Sequence, residues 1–287
     1  MESADSDKDQ ERVIKPRKSE SFNSPTADVT FLSSDSVLFK LHSSHLSVNS
    51  IGFPRADENI VVDAKRVPLS EHSDILDLLF RFVQPPVKDT SFRQPDLFYE
   101  IQYDINNFFR LAETAEKYVV FAAMNACYLT MQHFQVEYPL QILNHCVLHD
   151  YLPLANKAAK SSLTEGIDEA IKYLTAPGLL IRYLKYFSKW QDASTYAIGE
   201  FERHALRLDC PAWTYAYIMY RQQLDESCSN IGVMPQGDFK SKRCHDIECS
   251  CRSLPNVWPD WFRRLSRFTD IPDFGDFDAT SDYEPNE

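Results

Sequence analysis

The residues nearest to a chemical site in this sequence are four cysteines toward its C-terminal end. Cys244, Cys249 and Cys251 fall in one short stretch with His245, Asp246 and Glu248, and Cys228 lies sixteen residues before Cys244. Thiolates prefer zinc, four ligands close a structural tetrahedron, and a stretch with little apolar content gains order from the bound ion. The C-x4-C-x-C spacing lacks the paired C-x2-C of a standard knuckle, and ligands at i and i+2 strain to share one ion. Structural zinc on Cys228, Cys244, Cys249 and Cys251 therefore stands beside plain loop thiols, with no other cofactor expected. His145 and His149, followed by Asp150, share one face of a predicted helix, but two ligands on one helix do not close a metal site.

Other chemistry is ruled out by what surrounds the motif. Gly232 and Gly237 have phosphate-loop spacing, but Asp238-Phe239 stands where Lys and Ser or Thr must meet phosphate and magnesium. Neither a G-x-S-x-G elbow nor an H-E-x-x-H helix occurs. The sequence is thus expected to be non-enzymatic. Trp258, Trp261, Phe262 and Leu265 surround Arg263 and Arg264. They are expected to pack on neighbouring helices, the alternative being an exposed aromatic and arginine patch that anchors a protein partner.

Composition narrows the partners. Thirty Lys plus Arg against 42 Asp plus Glu leave a net charge of −12, the wrong sign for broad contact with phosphates, so no nucleic acid is expected. No run of about 18 apolar residues occurs and the N-terminus is polar, so no membrane span or secretion signal is expected. Seven cysteines, an odd number without a disulfide-scaffold spacing, fit a reducing cytoplasm or nucleus.

The elements that must position these residues follow from periodicity. Residues 1–22 mix six acids and five bases with almost nothing apolar and are expected to be a disordered tail. Within it, Lys15-Pro16-Arg17-Lys18 could be read by nuclear import, or make Ser19 and Ser21 phosphorylation targets. Val29 and Phe31, then Val37, Phe39 and Leu41, alternate around Ser33–Ser36, predicting a hairpin, and Ile60–Val62 a third strand. Ile75, Leu78, Leu79 and Phe82 take helical spacing up to Pro85-Pro86. A polar loop follows, then a helix through Phe108, Leu111, Ala112 and Ala115, and another from Phe121 to Met131. From Pro139 the pattern is helical throughout: a face of Ile142, Leu143, Cys146 and Val147, one of Ile167, Ile171 and Leu174, one of Leu180, Tyr183, Leu184 and Phe187, and one of Ala197, Phe201, Ala205 and Leu208. Residues 270–287 carry seven acids and no base around Phe274, Phe277 and Tyr283, and are expected to be a second disordered tail, solubilising or docking on a basic partner.

The order of several short motifs resembles BTB/POZ domains. Ala27-Asp28-Val29-Thr30-Phe31 is followed by Phe39-Lys40-Leu41-His42-Ser43-Ser44-His45-Leu46 and by Ser50-Ile51-Gly52-Phe53. Val67-Pro68-Leu69, the Ile75–Val83 helix, Leu111–Glu113, Ala115–Tyr118 and Cys127 then come in the family's order. Gln94–Leu97 and Ala112–Tyr118 look like the BTB proteins abundant in mushroom-forming fungi. The resemblance covers residues 23–135 and implies an α+β fold, a small sheet flanked by helices, followed here by an all-helical region at 136–225 and a cysteine-containing loop with a terminal aromatic helix at 226–269. It implies a protein-binding module with a signature of Asp28, His42, Leu46, Ser50 and Phe53, in which Asp28 and His42 hold buried structural hydrogen bonds. The partners implied are the protein itself or other proteins, or a cullin-3 ubiquitin ligase for which the chain would be a substrate adaptor. BTB dimers that swap N-terminal elements need an ordered strand and helix before the Asp-Val strand, and residues 1–22 show no apolar pattern for one.

Overall fold

Alternating side chains pinched by small polar residues dictate a hairpin, because only every second residue can reach a core on one face of a sheet. The computed structural model describes residues 15–54, 66–86, 95–207, 210–226 and 271–277. It divides into two compact units, residues 1–131 and 132–287. The first opens with β1 (Arg17–Asn23), β2 (Val29–Leu32) and β3 (Val37–Leu41). β2 and β3 are antiparallel, with Phe31 opposite Phe39. Ser36 closes their turn in the left-handed region at φ 64°.

β1 corrects the expectation that residues 1–22 are a tail throughout. It lies parallel to β3 at the sheet edge, its register slipping between Lys18 and Asn23. Its order comes from tertiary contact and not from its own pattern. Phe22 is fully buried, its ring 5.9 Å from that of Phe80 and 6.3 Å from that of Phe39. Ser19 is buried and its hydroxyl accepts from the Phe22 N–H at 3.1 Å, which takes it out of reach of a kinase in this state.

α1 (Ser43–Asn49) follows β3, and β4 (Arg66–Pro68) then pairs parallel with β2, completing the order β1-β3-β2-β4. The strand expected at Ile60–Val62 lies outside the described residues. α2 (Ser73–Phe80) buries Ile75, Leu76, Leu79 and Phe80, with Leu78 only half-buried and Phe82 buried just beyond its end. Phe80 is the hub, its ring 5.7 Å from Phe31 and 5.3 Å from Phe39. Where a polar loop was expected, α3 (Leu97–Tyr103) forms. α4 (Ile105–Lys117) starts at Asp104, whose carboxylate accepts from the Asn106 and Asn107 N–H groups and caps it. Phe108, Leu111, Ala112 and Ala115 are its buried face, as the spacing predicts. α5 (Phe121–His133) follows.

In the second unit Pro139 stands at the start of α6 (Pro139–Leu148), where its missing N–H costs nothing. α6 buries Ile142, Leu143 and Cys146 and packs on α7 (Leu152–Ser161), a helix the spacing does not reveal, which buries Leu154, Ala155 and Ala158. α8 (Ile167–Tyr173) buries Ala170, with Leu174 buried just after it as predicted, but exposes Ile167 and Ile171 of the predicted face. The two helices predicted after Gly178 are one, α9 (Leu179–Arg207), for no proline interrupts it and Gly199 is its one glycine. Leu179, Tyr183, Tyr186, Ala193, Ala197 and Phe201 form one buried stripe along it. α10 (Pro211–Glu226) begins where a stop was expected, packing Trp213 and Tyr220 edge-on to Phe201 at 5.9 and 5.3 Å.

The acidic C-terminal stretch is not a tail throughout. Residues 271–277 are ordered around a 3-10 turn at Phe274–Asp276, and Phe274 is buried. The fold is therefore mixed α+β, a four-stranded sheet with a larger helical part. No helix among the described residues is long and apolar enough to cross a membrane.

Candidate partner-binding surface

A seven-residue helix loses much of its hydrogen bonding to its ends, so α1 needs help from outside. Its N-cap is His42, whose side chain makes no cap bond. Asp28, at the entry to β2, supplies one instead: it accepts from the Ser43 N–H at 2.8 Å and from the Ser43 hydroxyl. Those two bonds hold the Asp28 carboxyl below the usual carboxylate range, the side-chain bond first and the backbone bond next. Asp28 is hydrogen-bonded as expected but exposed, not buried. His42 is half-buried, and its backbone N–H donates to Gln84 Oε1 at 3.0 Å.

The same device recurs at α2, from a residue the sequence did not single out. The N-cap is again a histidine without a cap bond, His72, and the first helical residue again a serine, Ser73. Asp35, in the hairpin turn, accepts from the Ser73 N–H at 2.9 Å and the Ser73 hydroxyl at 2.7 Å, and from the Ser33 hydroxyl at 2.7 Å. Burial resists its ionisation, but these bonds and nearby His72 outweigh it and hold Asp35 far below its usual range. The repeated His-Ser pair was the available signal. Two carboxylates on one hairpin thus fix the starts of two helices.

Beyond α1 the chain is clamped to the end of α4. Ser50 is buried and its hydroxyl donates to the Tyr118 carbonyl at 2.5 Å, while the Gly52 N–H donates to the same oxygen at 3.0 Å. A Cβ on Gly52 would lie 2.5 Å from the Tyr118 carbonyl carbon, so only glycine fits. Phe53 stacks on the Tyr118 ring, centroids 4.5 Å apart and planes 6° from parallel. Val119, next to this clamp, sits at φ 49°, a strained conformation for a β-branched residue. The Tyr118 hydroxyl donates to Glu71 at 2.5 Å, and Lys117 pairs with the same carboxylate. Burial, and then Glu71, push the Tyr118 phenol well above its ordinary range, so it serves as a fixed donor and not as a general base.

These ties shape a groove of about 520 Å³ beside α1, lined among others by Asp28, Ser43, Leu46, Ser47, Ile51 and Phe53. Of the five signature residues, Asp28, Leu46, Ser50 and Phe53 line it together and His42 does not. Ile51 on its wall is 74% exposed and Val48, on α1, 75%. Apolar side chains held out in water beside polar ones that are already bonded can bury area against a partner, but they move no proton.

The remaining sequence candidates offer less. Cys228, Cys244, Cys249 and Cys251, and the Trp258–Leu265 stretch, lie outside the described residues. The His145 and His149 rings do meet at the C-terminal end of α6, centroids 4.6 Å apart, with His145 buried. Burial pushes the Cys127 and Cys146 thiols up to about 12, which keeps them protonated and unreactive at neutral pH. Comparison with known protein families, with curated proteins and with solved structures found no match.

Proposed function

We propose that the protein is a non-enzymatic protein-interaction module whose first unit is a BTB/POZ-type domain, assembling with a second copy of itself or with another protein. The observation that carries this reading is the pair Val48 and Ile51, about three-quarters exposed, beside a groove whose Asp28, Ser43, Ser47 and Ser50 side chains are hydrogen-bonded within the chain. The sheet-and-helix order of the first unit and the gathering of four of the five signature residues, Asp28, Leu46, Ser50 and Phe53, at one groove support it. Function then resides in complementary apolar and polar patches, with specificity set by what is excluded as much as by what fits.

Light scattering coupled to size exclusion, over a tenfold range of concentration, tests the self-assembly form. A mass that rises to a dimer or beyond, and a shift of about tenfold toward monomer in Val48→Asp or Ile51→Asp, is the expected result for a central contact. A concentration-independent monomer removes self-association and leaves the heterotypic form, for which capture of purified cullin-3 is the direct assay.

A further inference from the structure

Residues 271–277, Ile-Pro-Asp-Phe-Gly-Asp-Phe, have one hydrogen-bonded turn of their own, yet they are held at a defined place on the second unit. The holding groups are polar side chains from two helices. Arg182 of α9 donates from Nε and Nη2 to the Phe274 carbonyl at 3.2 and 2.9 Å, and from Nη2 to the Gly275 carbonyl at 2.9 Å. Asn156 of α7 accepts from the Gly275 N–H at 2.8 Å. Three successive main-chain groups are thus read by two side chains. The Phe274 ring lies under the Arg182 guanidinium, 4.4 Å from its carbon, and meets Tyr186 edge-on at 5.5 Å. Tyr186 takes Phe277 in the same way, at 5.4 Å.

Main-chain hydrogen bonds that give hold, and pockets for spaced side chains that give selection, are how proteins take short peptides. We propose that the face of α7 and α9 bearing Asn156, Arg182 and Tyr186 is a peptide-recognition site, occupied here by the chain's own residues 271–277. The ligand class it takes is Phe-small-x-Phe. Phe274 and Phe277 supply the two rings. A Cβ on Gly275 would meet the Asn156 Oδ1 at 3.4 Å, an ordinary contact, so alanine is accepted there. Asp273 and Asp276 are exposed and are not read. A segment of this pattern from another chain therefore competes with residues 271–277 for the same face. This site is independent of the BTB-type reading of the first unit, since every group in it belongs to the second.

The test uses the full chain and a fluorescein-labelled peptide of sequence Ile-Pro-Asp-Phe-Gly-Asp-Phe. In the wild type the site is filled, so fluorescence polarisation shows little binding. Phe274→Ala empties it, and the same peptide then binds saturably, at least tenfold tighter than to wild type. Adding Arg182→Ala to that variant abolishes the gain, and a peptide with alanine in place of its glycine binds within about threefold of the parent. A folded Phe274→Ala chain, matched to wild type by circular dichroism, that binds no peptide overturns the proposal, as does binding that survives Arg182→Ala. Should either variant not fold, hydrogen exchange on the wild-type chain decides. The Gly275 amide is expected to exchange at least tenfold slower than in the free peptide, and exchange at the free-peptide rate overturns the site.

Discussion

The two surfaces are built in opposite ways. In the first unit, a hairpin sends out two carboxylates, Asp28 and Asp35, that fix the starts of α1 and α2 and leave a groove open beside exposed Val48 and Ile51. In the second, the buried stripe of α9 builds the scaffold, and residues 271–277 cover a face of α7 and α9. An open face needs an occupant from outside the described chain, whereas a covered one has its occupant already and works by exchange. Polar tethers set where elements start, and apolar stripes set whether they stay.

The largest way to sharpen this contrast is to cut the stripe. Phe201 is fully buried between Trp213 and Tyr220, so Phe201→Ala should cost about 3–5 kcal/mol, read as a lower denaturant midpoint. Ile271 packs on the same cluster, so exchange protection of residues 271–277 should fall in parallel. A midpoint within ~0.5 kcal/mol of wild type would mean the α9 stripe does not carry the unit. Next in size is Gly52→Ala, which forces a methyl onto the Tyr118 backbone and should cost about 1–3 kcal/mol. Its effect should be local, with faster exchange of the Gly52 amide that bonds the Tyr118 carbonyl. An alanine variant as stable as wild type would show that the clamp beside α1 gives way easily, and the groove with it.

How much of this was legible follows from the distance over which each signal acts. The β2–β3 hairpin shows in the alternation of Val29, Phe31, Val37, Phe39 and Leu41, because one face of a strand reports itself within a few residues. The faces of α4 and α6 show for the same reason. The spacing shows α9 at Tyr183 and at Phe201 but predicts two helices, since Ser188, Lys189, Gln191 and Asp192 around Trp190 hide a continuing stripe. β1 offers one apolar residue, Phe22, and owes its order to Phe39 and Phe80. At the site, Asp28, Leu46, Ser50 and Phe53 came from motif order. Asp35 did not, for its helix-start partner Ser73 is 38 residues away. The 271–277 segment reads as acidic because Asp273 and Asp276 dilute Phe274, and its anchor Arg182 is 92 residues distant.

The two carboxylates allow a finer test of the first surface, by pH. Both have folded-state values below the ordinary 3.8 of an aspartate, so the stability each contributes is full above that value and is lost as pH falls through the folded value. Asp35→Asn weakens a cap and a turn anchor together and should cost about 1–2 kcal/mol at pH 7. The gap between wild type and variant should narrow below about pH 4, measured as denaturant midpoints down the acid limb. A gap independent of pH would mean the ionised form is not what holds Ser73.

Asp28→Asn should show the same sign at smaller size. Its carboxylate is exposed, so water competes for it and screens its field, and the expected loss at pH 7 is below about 1 kcal/mol. An amide oxygen can still accept from the Ser43 N–H, so the helix start weakens without being lost. The bonding pattern to a first-turn serine is alike in both, so the difference between the two variants measures burial together with the further Ser33 bond that Asp35 accepts. If Asp28→Asn costs as much as Asp35→Asn, the exposed cap is carrying α1 and hence the wall of the groove, and partner binding should weaken with it. If it costs little while binding drops about tenfold, the Asp28 charge faces the partner, and raised salt should reproduce the loss in the wild type.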